Sequence, residues 1–329
     1  MATLYWVAGS NTFDKNLTQG SGTSTIYKWS TSAPTLVVGK WSNSSTTFTT
    51  ESSVTLTAGT QIVNWVGNFV GVIATTATGT SFTFNNTPTL SGYTNCIAAT
   101  NLYNTALSSS DDVVFNPITT YSVSFTSGAN SPPTLRNFTV TSGSGHIVFK
   151  TTTTSSEYRF SGNIDISNSC SFPKSYVSTW IIRITQSVLS TDSPKTYKCA
   201  ITDPNNAYLE IWFMGGDSTG TGVSNIASDL YAYKIVAYRD PSYNYVSNVY
   251  TNNYNLYCTN FVVDNYNKSN NTYGVVYLGS SKIYMEQIQL SPATNGVNLN
   301  KGTSTLIFDT SAQQRAIPYF EYVLSLIHI

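Results

Sequence analysis

Few residues in this chain could do acid–base or metal chemistry, and their spacing limits what that chemistry could be. Among 329 residues there are two histidines, His146 and His328. A three-histidine metal site is therefore impossible, and a nucleophile–histidine triad would have to use His146. His146 opens the run HIVFK (146–150), alternating with Ile147 and Phe149, so it is expected on the solvent side of a strand. Paired carboxylates could cleave glycosidic bonds. Asp111 and Asp112 are adjacent, but strand neighbours point to opposite faces and cannot share a substrate. Asp111 is expected instead at a turn or strand start, bonded to nearby backbone. The remaining acids, among them Asp165, Glu210, Asp217, Asp229, Asp240, Asp264 and Glu286, are scattered, and no local spacing pairs them.

Glycine-rich phosphate loops fare no better. GGDSTGTG (215–222) lacks the following lysine and the spacing of a nucleotide-binding loop, and GSGTST (20–25) has no helix behind it. Asp and Asn oxygens at DPNN (203–206) and DNYNKSNN (264–271) suit a hard cation, but neither follows a known calcium-loop pattern. No cofactor and no metal site is expected. The four cysteines, Cys96, Cys170, Cys199 and Cys258, lie far apart with no zinc or redox spacing. They are expected as small buried hydrophobes.

The most unusual stretch is YAYKIVAYRDPSYNYVSNVYTNNYNLY (231–257). Tyrosine offers a flat apolar face and a hydroxyl, and interleaved Asn adds amide donors and acceptors. Tyr231, Tyr233, Tyr238, Tyr243, Tyr245, Tyr250, Tyr254 and Tyr257 are therefore candidates for glycan or subunit contact. The competing expectation is that they are strand formers on the outside of a β scaffold. Sequons at Asn16, Asn43, Asn85, Asn137, Asn267 and Asn270 follow from a composition rich in Asn, Ser and Thr.

The elements that must position these residues are strands. Hydrophobic content of 40% can build a core, while only 10% of residues are charged, with sixteen acids against sixteen bases. So neutral and sparse a charge pattern leaves no footprint for nucleic acid or an anionic membrane surface. No stretch approaches the roughly eighteen apolar residues of a membrane helix, and MATLYWVAGSNTFD has neither the basic nor the apolar region of a secretory signal. Runs such as SVTLTA (53–58), SFTFN (81–85), YSVSFTS (121–127) and NFTVTS (137–142) alternate apolar with polar residues, the pattern of half-buried strands. The fold class expected is all-β.

Internal repetition points to the architecture. GSGHIVF (143–149), GSSKIYM (279–285) and GTSTLIF (302–308) share a glycine, small residues, then Ile or Leu two positions before Phe or Met, and GTSTI (22–26) repeats the first half. Gly279 and Gly302 are 23 residues apart, close to one coil of a parallel β-solenoid (β-helix), in which each coil stacks on the one before. A tight glycine turn, small residues rounding a corner and a strand with two inward side chains would explain the pattern. The expected organisation is an N-terminal β region over 1–110 and a β-solenoid region over 111–323, Tyr/Asn-rich from about 173.

Two stretches together resemble a known group. ATLYWVAGSNTFD followed by IYKWSTSAPT, and then SSSDDVVFNPITTYSVSFTSG, resemble the opening of large, mostly uncharacterised structural proteins of tailed phages found widely in metagenomes. In that group a YWVGG-x-G-x-W element leads through a Trp-Ser segment and a Pro-Thr pair to an Asp-rich strand. Coils of the form GTSTITF follow, which KGTSTLIFDTSAQ (301–313) resembles. Here Ala8 replaces the first glycine of the pair, Phe13 stands where Trp is usual, and about seventy residues separate the Pro-Thr pair from Asp111. The resemblance covers 1–35, 108–128 and 296–313. It implies a non-enzymatic phage virion structural protein, tail or fibre associated, made in the host cytoplasm and assembled as a homo-oligomer with other virion proteins. Contact with a host surface glycan would be its adhesive role. The alternatives are a polysaccharide-degrading tailspike and a bacterial surface adhesin. The final LSLIHI (324–329) is the translation of CTG TCT CTT ATA CAC ATC, which resembles a sequencing adapter, so the natural frame is expected to be cut at about Val323 and His328 to drop out as a candidate.

Overall fold

Alternating residue size becomes alternating burial. In Tyr121–Phe125, Tyr121, Val123 and Phe125 are buried and the two serines between them are not, and Ile164–Ile166 buries both isoleucines around an exposed Asp165. The computed structural model describes residues 2–126, 133–151, 155–173, 181–189, 191–202, 209–215, 221–238, 246–264, 266–267, 272–290 and 299–308. The chain is all-β, with a parallel β-solenoid of about five turns and further sheets at the N-terminus. Two compact units divide it, one of residues up to Ser156 with Ser169–Ser171, the other of Glu157–Asn168 with residues from Phe172 onward. LSLIHI lies outside the described residues.

In the first unit, coil stacking begins at once. Thr3–Trp6 pairs in parallel with Asp112–Phe115, which pairs in parallel with Phe138–Val140. On the second sheet Asn11–Phe13, Tyr121–Phe125 and Ile147–Thr151 stack likewise. The solenoid region was expected from 111; parallel pairing already includes residues 3–13, because a long insertion interrupts the first coil. Inside these coils sits an aromatic cluster. Phe115 lies 5.3–5.8 Å, ring centre to ring centre, from Trp6, Phe13, Trp29, Phe138 and Phe149. At the outer edge Trp29–Ser30 runs antiparallel to Thr3–Trp6, covering backbone groups that would otherwise invite another strand.

The insertion is a barrel. Its sheet runs in the order Ala77–Thr83, Thr47–Leu56, Thr35–Trp41, Gly92–Ala99, Gln61–Asn64, Phe69–Val72. A bridge between Ile73 and Phe84, with Ala74 N–H donating to Thr83 O (2.7 Å) and Asn85 N–H to Val72 O (2.8 Å), closes it. Trp41, Phe48, Phe82 and Phe84 fill the interior with Val37, Ile62 and Cys96. Glycine makes room for them: a Cβ on Gly71 would stand 2.6 Å from the Phe84 ring. The barrel leaves and rejoins the coil at one point, where Thr31 N–H donates to Asn101 O (3.1 Å), Ser30 Oγ to Thr100 O (2.5 Å) and Asn101 Nδ2 to Ser32 Oγ (2.7 Å).

In the second unit one parallel sheet orders Ser155–Phe160, Ile181–Val188, Leu209–Gly215, Leu230–Tyr238, Leu256–Asp264, Lys282–Leu290 and Thr305–Phe308. A second stacks Ile164–Ile166, Lys195–Cys199, Thr221–Ile226, Val246–Tyr250, Val276–Tyr277 and Leu299–Asn300. The repeated glycine turn behaves as expected. Gly279 and Gly302 have φ of +58° and +54°, a region open to glycine at little cost. Thr303 N–H donates to Gly279 O (2.8 Å), stacking turn on turn. Ile283 and Met285 then point into the core. One coil earlier Asn252 takes the same place at φ +52°, asparagine being the usual substitute for glycine there. Side chains tie successive corners together. Asp229 Oδ1 accepts Asn255 N–H (2.8 Å) and Asn255 Oδ1 accepts Lys282 N–H (2.9 Å), while Asn253 Oδ1 accepts Ser280 N–H (2.9 Å). Among the described residues no helix is long and apolar enough to cross a membrane.

Candidate functional site

Asp111 is a strand-start residue. Its buried carboxylate accepts Ala2 N–H (3.0 Å), Ser108 N–H (3.0 Å) and Ser108 Oγ–H (2.9 Å), which ties the turn over 108–111 to the first strand of the chain. Burial first, and then the Asp111 charge, raise the nearby Tyr103 phenol above its ordinary value. Asp112 instead pairs with Arg136 and accepts Asn137 Nδ2–H (2.8 Å). His146 is half-buried, and its Nε2 lies 2.9 Å from Ser171 Oγ on the following coil. The neighbours therefore separate as strand geometry requires.

The scattered acids are another matter, because the solenoid gathers two of them. Glu157, Arg183 and Glu210 stand on three successive strands of one sheet, with Arg183 opposite Glu210. Arg183 Nε donates to Glu210 Oε2 (3.0 Å) and its Nη1 to Glu157 Oε2 (3.4 Å). Glu157 Oε1 also accepts Arg159 Nε–H (2.9 Å) and Thr185 Oγ1–H (3.1 Å). Trp212 Nε1 donates to Glu210 Oε2 (2.9 Å), and the Arg183 guanidinium lies 3.9 Å above the indole. Tyr238 meets that indole edge-on at 5.1 Å, and Lys234 Nζ lies 5.7 Å from it. Glu210 is buried, its side chain 5% exposed. Chemically this is a guanidinium clamped by two carboxylates and an indole. Sequence reasoning left Glu210 unpaired and passed over Glu157 and Arg183. The available signal was opposite charges one coil apart, at separations of 26 and 27 residues.

The other expected acids are placed singly. Asp165 faces Lys198 across 3.4 Å on an exposed face. Asp229 belongs to the corner ladder, and Asp264 and Glu286 stand on separate strands. Asp217, Asp240 and DPNN lie outside the described residues, as does part of DNYNKSNN. Among the described residues no group of three His, Cys, Asp or Glu side chains could hold a metal ion. GSGTST forms a short exposed turn of 3-10 helix over Gly22–Ser24.

The tyrosines form ladders. Tyr231 stacks on Tyr257 at 4.3 Å with 1° between ring planes, Tyr257 on Tyr284 at 4.6 Å and 5°, and on the other sheet Tyr250 on Tyr277 at 4.4 Å and 2°. Tyr257 therefore has both ring faces covered, and Tyr231 and Tyr250 each have one covered. Where the rings stack, what they offer outward is edges and hydroxyls. Burial first, then the adjacent Tyr231 hydroxyl, raise the Tyr257 phenol, and burial and Tyr277 raise that of Tyr250. Tyr233 is half-buried, Tyr238 packs on Trp212, and Tyr254 is exposed at a corner. Tyr243 and Tyr245 lie outside the described residues.

All four cysteines are free thiols, Cys96, Cys170 and Cys199 buried and Cys258 half-buried. Burial pushes the thiols of Cys96, Cys199 and Cys258 up to about 12. Since the thiolate is the reactive form, the folded protein at pH 8 is expected to react with a chromogenic disulfide reagent at fewer than one thiol per chain within minutes. All four should react after unfolding in guanidinium; rapid native labelling of these thiols would contradict the packing described.

Compared with known families, curated proteins and solved structures, the chain matches no family profile, no curated protein and no solved structure.

Proposed function

We propose that the chain is a non-enzymatic structural component of a tailed-phage particle, in its tail or fibre, assembled with copies of itself and other virion proteins. The observation that carries this reading is coil-on-coil stacking reinforced outside the core. Aromatic ladders on both sheets and the Asp229–Asn255–Lys282 corner column repeat contacts along the stacking direction. Each coil thereby holds its neighbours through hydrogen bonds and rings as well as apolar burial, a construction suited to bearing load. The likeness of the N-terminal and GTSTLIF segments to phage structural proteins supplies the setting, and symmetric assembly would multiply weak surface contacts. Mass spectrometry of density-purified virions from a host carrying the gene tests it. Peptides spanning 1–308 should co-purify with capsid and tail proteins, and their confinement to the particle-free lysate would refute the assignment.

A second reading, a tailspike that cleaves polysaccharide, draws on the meeting of Glu157 and Glu210 at Arg183. Hydrolysis needs one carboxyl that holds a proton and another that is free to act, whereas these two share one guanidinium. New reducing ends from host capsular polysaccharide, abolished by Glu210→Gln, would revive it.

A further inference from the structure

The barrel presents a tryptophan in a way no other described tryptophan is presented. Trp6, Trp29 and Trp41 are buried and Trp212 is clamped by Arg183, but Trp65 is 41% exposed, and Val66 beside it 46%. Exposure here is not looseness. Asn64 N–H donates to Asn68 O (3.0 Å), Gly67 N–H to Asn64 O (2.9 Å) and Asn68 N–H to Asn64 Oδ1 (2.8 Å). On either side Trp65 N–H donates to Asn95 O (3.2 Å), and its carbonyl accepts Ser10 N–H (3.0 Å). Gly67, at φ +94°, packs so closely that a Cβ there would stand 2.2 Å from Ser10 O. The turn is thus welded both to the barrel and to the first coil.

The surroundings define a chemistry. The Trp65–Asn95 bond continues the Val63–Ile97 register, so Trp65 lies beside Asn95 on the barrel's outer side, two residues along from Tyr93, which is 59% exposed. Two asparagines stand near Trp65 in the chain and in register, Asn68 in the same turn and Asn95 across the strand, while Asn64 is in register with the interior Cys96. Asn64 spends its Oδ1 on the turn and Asn95 its Nδ2 on Thr119 (3.2 Å), while Asn68 is exposed. Among the described residues no ring stacks on Trp65 and no cation lies over it. An exposed indole on a fixed turn, with the exposed Asn68 amide in the same turn, matches a sugar ring, whose C–H face packs on an indole while its hydroxyls pair with amides. Because the turn is already fixed, little ordering cost opposes binding.

We infer that the Trp65 turn is a saccharide-binding site for a neutral glycan, formed by Trp65, Val66, Asn68, Asn95 and Tyr93. It does not draw on the tyrosine ladders, whose stacked faces are spent on one another, and it does not depend on the virion assignment. Isothermal titration of the full chain with neutral hexasaccharides of glucose, mannose and galactose, and with an acidic hexagalacturonide as control, tests it. At least one neutral sugar should bind with a Kd on the order of 0.1–1 mM. Trp65→Ala should weaken it at least tenfold and Trp65→Phe less, with melting temperatures unchanged. Should Trp65→Ala fail to fold, Asn68→Ala on the exposed rim should still weaken binding several-fold. The site is overturned if no neutral sugar binds, if only the acidic one does, or if the variants bind like the parent. It is equally overturned if Trp65→Ala merely dissociates an oligomer with no sugar heat in the parent, since the turn would then be a protein interface.

Discussion

Replacing Phe115 with alanine is expected to destabilise the first unit by about 3–5 kcal/mol, the range for removing a fully buried aromatic ring. Phe115 is 0% exposed and touches rings from both sheets, from the first coil and from the Trp29 strand that covers its edge. The hole would open where side chains of the outer strand, the first coil and its successors meet. Trp6 and Trp29, at 5.6 and 5.8 Å, report the change directly. Their fluorescence should shift to the red at a markedly lower guanidinium midpoint in Phe115→Ala, and at an intermediate one in Phe115→Leu. Equal midpoints for all three proteins would mean that the cluster does not hold this unit together.

Arg183→Leu is expected to cost about 3 kcal/mol, towards the lower end for breaking a buried ion pair because the arginine is a quarter exposed. The loss comes less from the missing attraction than from stranding Glu210, whose carboxylate would keep only the Trp212 N–H, and Glu157 beside it. If that account is right, adding Glu157→Gln and Glu210→Gln to Arg183→Leu should restore at least half of the stability, since neutral amides need no counter-charge. Urea unfolding followed by circular dichroism measures all four combinations, and strictly additive losses would show that the three side chains are not coupled.

How far these features could be seen in the sequence depends on the length of chain that forms them. The glycine turns at 279 and 302 and the strands after them are local, so GSSKIYM and GTSTLIF were legible as successive coils. GSGHIVF shares their inward Ile and large apolar residue for the same reason. Its glycines, however, serve close packing: a Cβ on Gly145 would stand 2.2 Å from the backbone of Thr119, whereas Gly279 and Gly302 supply positive φ. Identical letters thus met two different physical demands. The start of the solenoid was not legible, because Thr3 finds its partner at Asp112 only after the barrel has been completed, and no local pattern encodes a register across so long an interval. The Arg183 cluster hid for a milder version of that reason. Coil length varies, so stacked residues keep no constant spacing: Tyr231, Tyr257 and Tyr284 follow at 26 and 27 residues, while Lys282 and Thr305 follow at 23. Composition correctly marked the tyrosine-rich region as unusual, but could not tell that the rings would face one another.

The seam at Ser30–Ser32 and Thr100–Leu102 has a consequence for ancestry and engineering. Chain segments held side by side by four hydrogen bonds and a bridge can be joined by a short turn as readily as by a whole barrel. The coil beneath is then a socket and the barrel a cartridge. Lineages could exchange one cartridge for another, altering the surface the chain presents while leaving the stacked core unedited, and a designer could graft a foreign domain between the same two segments.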